Sequence, residues 1–100
     1  MKAIIQNEFG TADVLKYTDV ERPRIAEHEL LIKVAYTSVN YADIKKRTGN
    51  KENGEFPFTL GLDVAGIVEE VSAQSKFAIG DRVIAFPKSG TYAEYAVANE

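Results

Sequence analysis

Chemistry on this chain has to come from few groups, and the densest set is Asn40-Tyr41-Ala42-Asp43-Ile44-Lys45-Lys46-Arg47-Thr48-Gly49. Asn40 suits a helix start, because its side-chain oxygen can accept from a free backbone N–H. Asp43 and Arg47 stand four residues apart, so on a helix they share a face and can pair. Gly49 suits a helix end, since glycine takes the left-handed conformation at little cost. Polar groups shown on a short helix between two strands can face a cleft. From these residues alone, a plain connecting helix with a surface ion pair is the simpler reading.

The other reactive groups are sparse. Ser38, Ser72, Ser75 and Ser89 have one histidine to serve them, His28, which lies between Glu27 and Glu29 and reads as a solvated surface residue. Nucleophilic hydrolysis is therefore not expected. Glu69 and Glu70 fall in a strand-like run and should point to opposite faces, which rules out a carboxylate dyad. No glycine-rich phosphate loop of either common spacing is present. One histidine and no cysteine leave nothing for a thiolate or imidazole metal site, so no metal is expected. Lys45, Lys46, Arg47 and Lys51 read as a solvated basic face.

The composition sets the class. With 100 residues, 45% hydrophobic and 27% charged, the chain is one ordinary globular domain or a piece of a larger protein. A net charge of −3 gives no footprint for nucleic acid or an anionic membrane. The N-terminus turns polar too soon for a signal peptide, and no apolar run approaches membrane-spanning length. The lack of cysteine fits a reducing compartment, and the cytoplasm is the expected location.

The elements that must position these groups are mostly strands. Lys2 to Asn7 is a short strand, followed by a turn at Phe9-Gly10. Leu15 to Val20 is a second, with Leu15 and Tyr17 on one face. Glu29 to Thr37 is the clearest, with Leu30, Ile32, Val34 and Tyr36 expected toward the core. The helical segment follows it. Thr48 to Phe58 reads as a mobile surface loop. Val64 to Val71 is a strand with Gly66 inside, a sign of a bulge, a barrel corner or a close backbone approach. Gly80-Asp81 is a turn before a strand at Arg82 to Phe86. A turn at Ser89-Gly90 precedes a last strand, Thr91 to Val97, with Thr91, Ala93, Tyr95 and Val97 on one face. Short strands, frequent turns and one helix predict a mainly β fold, a small antiparallel barrel.

Four separated pieces resemble one family. They are Val39-Asn40-Tyr41-Ala42-Asp43 with Arg47 and Gly49; Gly61-Leu62-Asp63-Val64-Ala65-Gly66-Ile67-Val68; Gly80-Asp81-Arg82-Val83; and Gly90-Thr91-Tyr92-Ala93-Glu94-Tyr95. Their order and spacing resemble the N-terminal domain of the medium-chain dehydrogenase/reductase superfamily across nearly the whole chain. Within it the chain looks like the zinc-independent quinone oxidoreductase and enone reductase branch. The resemblance implies that residues 1–100 form a GroES-like, partly open β-barrel with one or two short helices, cut before a Rossmann nucleotide-binding domain. It implies hydride transfer from NADPH, bound mainly by that further domain, to a quinone or conjugated carbonyl compound in the cleft between the two.

The same resemblance gives the site residues. Asn40 matches an Asn beside the nicotinamide and the substrate, in the place of a zinc-ligand cysteine of alcohol dehydrogenases. An amide there can hydrogen-bond a carbonyl or a ribose hydroxyl and stabilise oxyanion charge. Helix capping remains open for it as well. Tyr41 stands where relatives often have Pro or Phe, and is expected at the cofactor and substrate cleft or in packing. Lys45 falls where several quinone reductases carry Tyr and some enone reductases Lys, and is expected at the substrate cleft. Leu62 replaces a zinc-ligand histidine, and Asp63 the adjacent Glu; both are expected at the substrate cleft. Asp43 and Arg47 are expected to hold the helix by an ion pair. The expected partners are a small-molecule substrate and, for the full-length protein, a second copy; this chain alone is expected to be a soluble, inactive monomer. The alternative is a free-standing GroES-like module such as a co-chaperonin, against which the polar Thr48 to Glu55 loop argues.

Overall fold

The computed structural model describes residues 1–49, 56–87 and 90–100. The central part of the expected loop at Thr48 to Phe58, and Ser89 of the Ser89-Gly90 turn, lie outside the described residues. The chain runs through β1 (Lys2–Gln6), a 3-10 turn at Ala12–Val14, β2 (Lys16–Asp19), β3 (Glu29–Tyr36), α1 (Tyr41–Thr48), β4 (Phe58–Thr59), β5 (Val64–Val71), β6 (Arg82–Ala85) and β7 (Tyr95–Asn99). One sheet has the order β2-β1-β4 and the other β6-β5-β3-β7, with antiparallel pairing throughout. The fold is mainly β, and the sheets do not close into a full barrel.

The segment before β7 ties the two sheets together. Ala3 bridges Ala93. The Ile4 N–H donates to the Tyr92 carbonyl at 2.9 Å, and the Val34 N–H donates to the Glu94 carbonyl at 2.8 Å. This use of residues 91–94 corrects the expected last strand. Regular pairing starts only at Tyr95, and Ala96 and Ala98 are the residues buried. Thr91, Ala93, Tyr95 and Val97 therefore do not share one strand face, because the first two belong to the tie between sheets.

The core gathers Leu30, Ile32, Val64, Val68 and Ala98, with Val34, Val71, Phe77, Val83 and Ala85 packed around it. Fully burying such a side chain contributes about 1.5–3 kcal/mol. Leu31, outside that cluster, is buried too, so β3 is covered on both faces along this stretch. Tyr36 was expected inside and is 77% exposed. The cause is a break in register between Val34 and Tyr36, where β3 spends an extra residue against β5. Leu15 falls outside β2, and Tyr17 is exposed with the Lys2 ammonium 5.6 Å from its ring centroid.

A second break, between Leu31 and Ile32, leaves Glu69 as the extra residue on β5. It upsets the expected alternation of Glu69 and Glu70. Both carboxylates reach the same Arg22 guanidinium, at 3.4 and 3.0 Å. Gly66 resolves to a close backbone approach: a Cβ there would sit 2.2 Å from the Lys33 carbonyl oxygen. His28 is exposed at the surface, as expected.

Candidate functional site

The chain leaves β3 through Thr37, Ser38 and Val39 and enters α1 with Asn40 as its N-cap in extended conformation. Gly49 closes the helix in the left-handed conformation, φ 84°, with its N–H on the Lys45 carbonyl at 3.1 Å. Both ends of the helix thus follow the residues that predicted them.

The face of the helix does not. Asp43 and Arg47 form no ion pair. The Arg47 Nε–H donates to the Gly10 carbonyl at 3.2 Å. Asp43 is 2% exposed, and among the described residues no basic nitrogen lies within 4.0 Å of it. A buried carboxylate needs donors, and three reach it. The Asn40 N–H and the Tyr92 hydroxyl donate to Oδ2 at 2.9 and 3.0 Å, and the Gly61 N–H donates to Oδ1 at 3.0 Å. Burial first, then the hydrogen bond to Asp43, pushes the Tyr92 phenol up to about 12.

Asp63 is the second centre. Its carboxylate accepts from the Ser38 N–H at 3.0 Å and the Ser38 hydroxyl at 2.6 Å. The Asn40 carboxamide Nδ2 donates to Asp63 Oδ2 and to Ser38 Oγ, each at 3.4 Å. The Ser38 hydroxyl, followed by the Ser38 backbone, holds the Asp63 carboxyl below the usual carboxylate range. The Thr37 hydroxyl donates to the Asp63 carbonyl at 2.7 Å and lies 2.7 Å from Thr91 Oγ1. Gly61, at φ 113°, lies so close to Thr91 that a Cβ would meet its Oγ1 at 1.9 Å.

These contacts make a compact polar knot that fixes one neutral amide, Asn40, at the mouth of a helix. Beside it Tyr41 is 72% exposed, with the Lys45 ammonium 5.1 Å from its ring centroid, and Val39 is 74% exposed. A groove of about 490 Å³ opens next to the knot, with Thr37, Val39, Thr91 and Tyr92 among its walls.

The family model for the alcohol dehydrogenase GroES-like domain matches residues 26–100. The chain belongs to this family. A quinone oxidoreductase of Lama guanicoe is 46% identical over 102 residues, covering 98% of this chain and 31% of that protein. The NADPH-dependent alkenal/one oxidoreductase of Arabidopsis thaliana chloroplasts is 36% identical over 113 residues, covering 100% of this chain and 29% of that protein. A mycobacterial protein solved in complex with NADPH superposes with a TM-score of 0.91 at 36% identity, over 99% of this chain and 31% of its own. The chain thus spans about a third of the length of these relatives. As a GroES-like domain of the medium-chain dehydrogenase/reductase family, it matches relatives that are oxidoreductases, and the co-chaperonin alternative is not favoured.

Within the GroES-like domain, the residues singled out from the sequence fall into two groups. Asn40 and Asp63 meet in the knot, while Tyr41 and Lys45 stack on the exposed side of α1. Leu62 is half-buried in the connection between β4 and β5. None of the five lines the neighbouring groove. Asp63 is engaged with Ser38 and Asn40. Sequence reasoning missed the part played by Ser38, Thr37, Thr91 and Tyr92. For Asp43 a signal existed: an Asn followed three residues later by an acid is the pattern of a reciprocal helix cap.

Proposed function

We propose that this chain is the substrate-side domain of a zinc-independent, NADPH-dependent oxidoreductase that reduces quinones or conjugated carbonyl compounds by hydride transfer. The observation that carries the reading is the anchored Asn40 amide. Its Nδ2 lies 3.4 Å from both Ser38 Oγ and Asp63 Oδ2, at the long limit for a hydrogen bond, and those two oxygens are 2.6 Å apart, so a single N–H faces both. The second N–H of the amide is then left to donate to a carbonyl oxygen of the substrate. As the carbonyl gains an electron pair, the amide stabilises the growing negative charge on its oxygen.

The residues present fit the nicotinamide end of the cofactor and not its phosphates. A neutral amide flanked by exposed Tyr41 and Val39 suits a flat, polar-edged ring, and the chain has no glycine-rich strand–turn–helix for a pyrophosphate. Asn40 and Tyr41 would hold that end; NADPH, when bound, supplies the hydride. Tyr41, Lys45, Leu62 and Asp63 would shape the substrate side. A catalytic zinc does not fit the donor chemistry, because Asn40 is a neutral amide, Leu62 has no donor and the Asp63 carboxylate is engaged. In this reading residues 1–100 precede a nucleotide-binding domain that holds most of the cofactor. The full-length protein is then a cytoplasmic homodimer, and this chain alone is an inactive monomer.

The test is Asn40→Ala in the full-length protein, assayed by NADPH oxidation with a small quinone and a conjugated enone. Loss of an oxyanion donor costs about 10²–10³ in kcat, and the loss should exceed any change in stability. Unchanged turnover, or activity that a chelator removes and zinc restores, would refute the reading.

A further inference from the structure

The oxygens of Asp43 join three stretches of chain that are far apart in sequence: the start of α1, the glycine before β5 and the tie before β7. Gly61, held by Oδ1, lies two residues before Asp63, which holds the Asn40 side chain. The Asn40 backbone is held by Oδ2 of the same carboxylate. Both ends of the contact between Asn40 and Asp63 therefore hang from Asp43, and the contacts close into a ring: Asp43, Gly61, Asp63, Asn40 and back to Asp43.

We propose that Asp43, braced by Tyr92, is the positioning residue that sets the direction of the Asn40 amide. This rests on the reading of Asn40 as the group that meets the substrate oxygen. A helix-stabilising acid would need only a solvent-facing partner. Asp43 is instead buried; two of the hydrogen bonds it accepts hold the Asn40 backbone and the segment that carries Asp63, and the third, from Tyr92, braces the carboxylate. The geometry also dictates the sharpest variant. An asparagine at this position keeps the shape but puts an NH₂ where an oxygen accepted, so a donor faces the Gly61 N–H or faces the Asn40 N–H and the Tyr92 hydroxyl.

The experiment compares Asp43→Asn, Tyr92→Phe, Asn40→Ala and the double variant Asn40→Ala/Asp43→Asn in the full-length protein. Turnover with NADPH and a quinone is measured at a temperature where circular dichroism shows each variant folded. Asp43→Asn should lower kcat by up to about 100-fold, the scale of a small misplacement of a reacting group. The NADPH KM should change much less. The double variant should lose no more than Asn40→Ala alone, because the residue to be positioned is gone. Unchanged kcat in Asp43→Asn, or losses that multiply in the double variant, would overturn the proposal. If Asp43→Asn does not fold, Tyr92→Phe removes one of the three bonds and should still lower kcat; an unchanged kcat there overturns it too. A wild-type protein that reduces neither quinones nor enones defeats the proposed function instead. The positioning claim is then read from the Asn40 side-chain amide signals in a nuclear magnetic resonance spectrum. They should move in Tyr92→Phe and not in the exposed control Asp13→Asn, and signals that stay in place in Tyr92→Phe overturn it.

Discussion

The four-stranded sheet and the polar knot at the start of α1 both bury residues almost completely, on opposite physical terms. Ile32 in β3 is 0% exposed and Asp43 in α1 is 2% exposed. Ile32 gains by leaving water, and its contacts have no required direction, so side chains of similar volume can replace it. Asp43 loses its hydration and is tolerated only because three donors point at it. Burial in the sheet is therefore graded, while burial in the knot is close to all-or-none. A domain can change its sheet in small steps, but the knot that directs Asn40 changes as a unit.

The largest effect should come from the sheet. Ile32→Ala should cost about 4 kcal/mol in urea unfolding, and Ile32→Val only about 1 kcal/mol, because the loss follows the volume removed. An equal cost for both substitutions would erase the graded side of the comparison.

Asp43→Ala should cost about 3 kcal/mol, since it leaves buried donors unpaired. The surface ion pair expected from the sequence is of a kind that contributes about 0.3–0.5 kcal/mol. Arg47→Ala, which gives up one partly buried bond to the Gly10 carbonyl, should cost about 1 kcal/mol. Equal small losses in the two variants would restore the ion pair and dissolve the knot as a structural unit.

The smallest effect is in pH. The Tyr92 phenol holds its proton to about 12 in the folded chain, against 10.0 ordinarily. Between those values unfolding releases a proton. The contribution of Tyr92 to stability is thus whole below pH 10 and declines as pH rises toward about 12. The stability difference between the wild type and Tyr92→Phe should shrink across that window. A difference that stays constant would show that burial and the bond to Asp43 do not hold the phenol protonated.

Some of this molecule was legible one residue at a time. The helix runs from its Asn40 cap to a left-handed Gly49, and β3 and β5 lie where the apolar runs placed them. Caps and alternation are rules about neighbours within about four residues, so a linear reading reaches them. The family was legible because four short pieces keep their order and spacing along the chain.

The rest needed the fold. Register breaks in β3 and β5 turned Tyr36 out to solvent and brought Glu69 and Glu70 to one arginine. No local pattern marks them, because a bulge is decided by both strands of a pair. The partners of Asp43 lie 18 and 49 residues away, and Asp63 meets Asn40 across 23. The sequence by itself determined that Asp43 lies in the first turn of a helix. Whether it meets water and Arg47, or Gly61 and Tyr92, was decided by the packing of the segment before β5 and the tie before β7 against that turn. Once water was excluded, the carboxylate kept its charge satisfied only by taking the donors those segments brought.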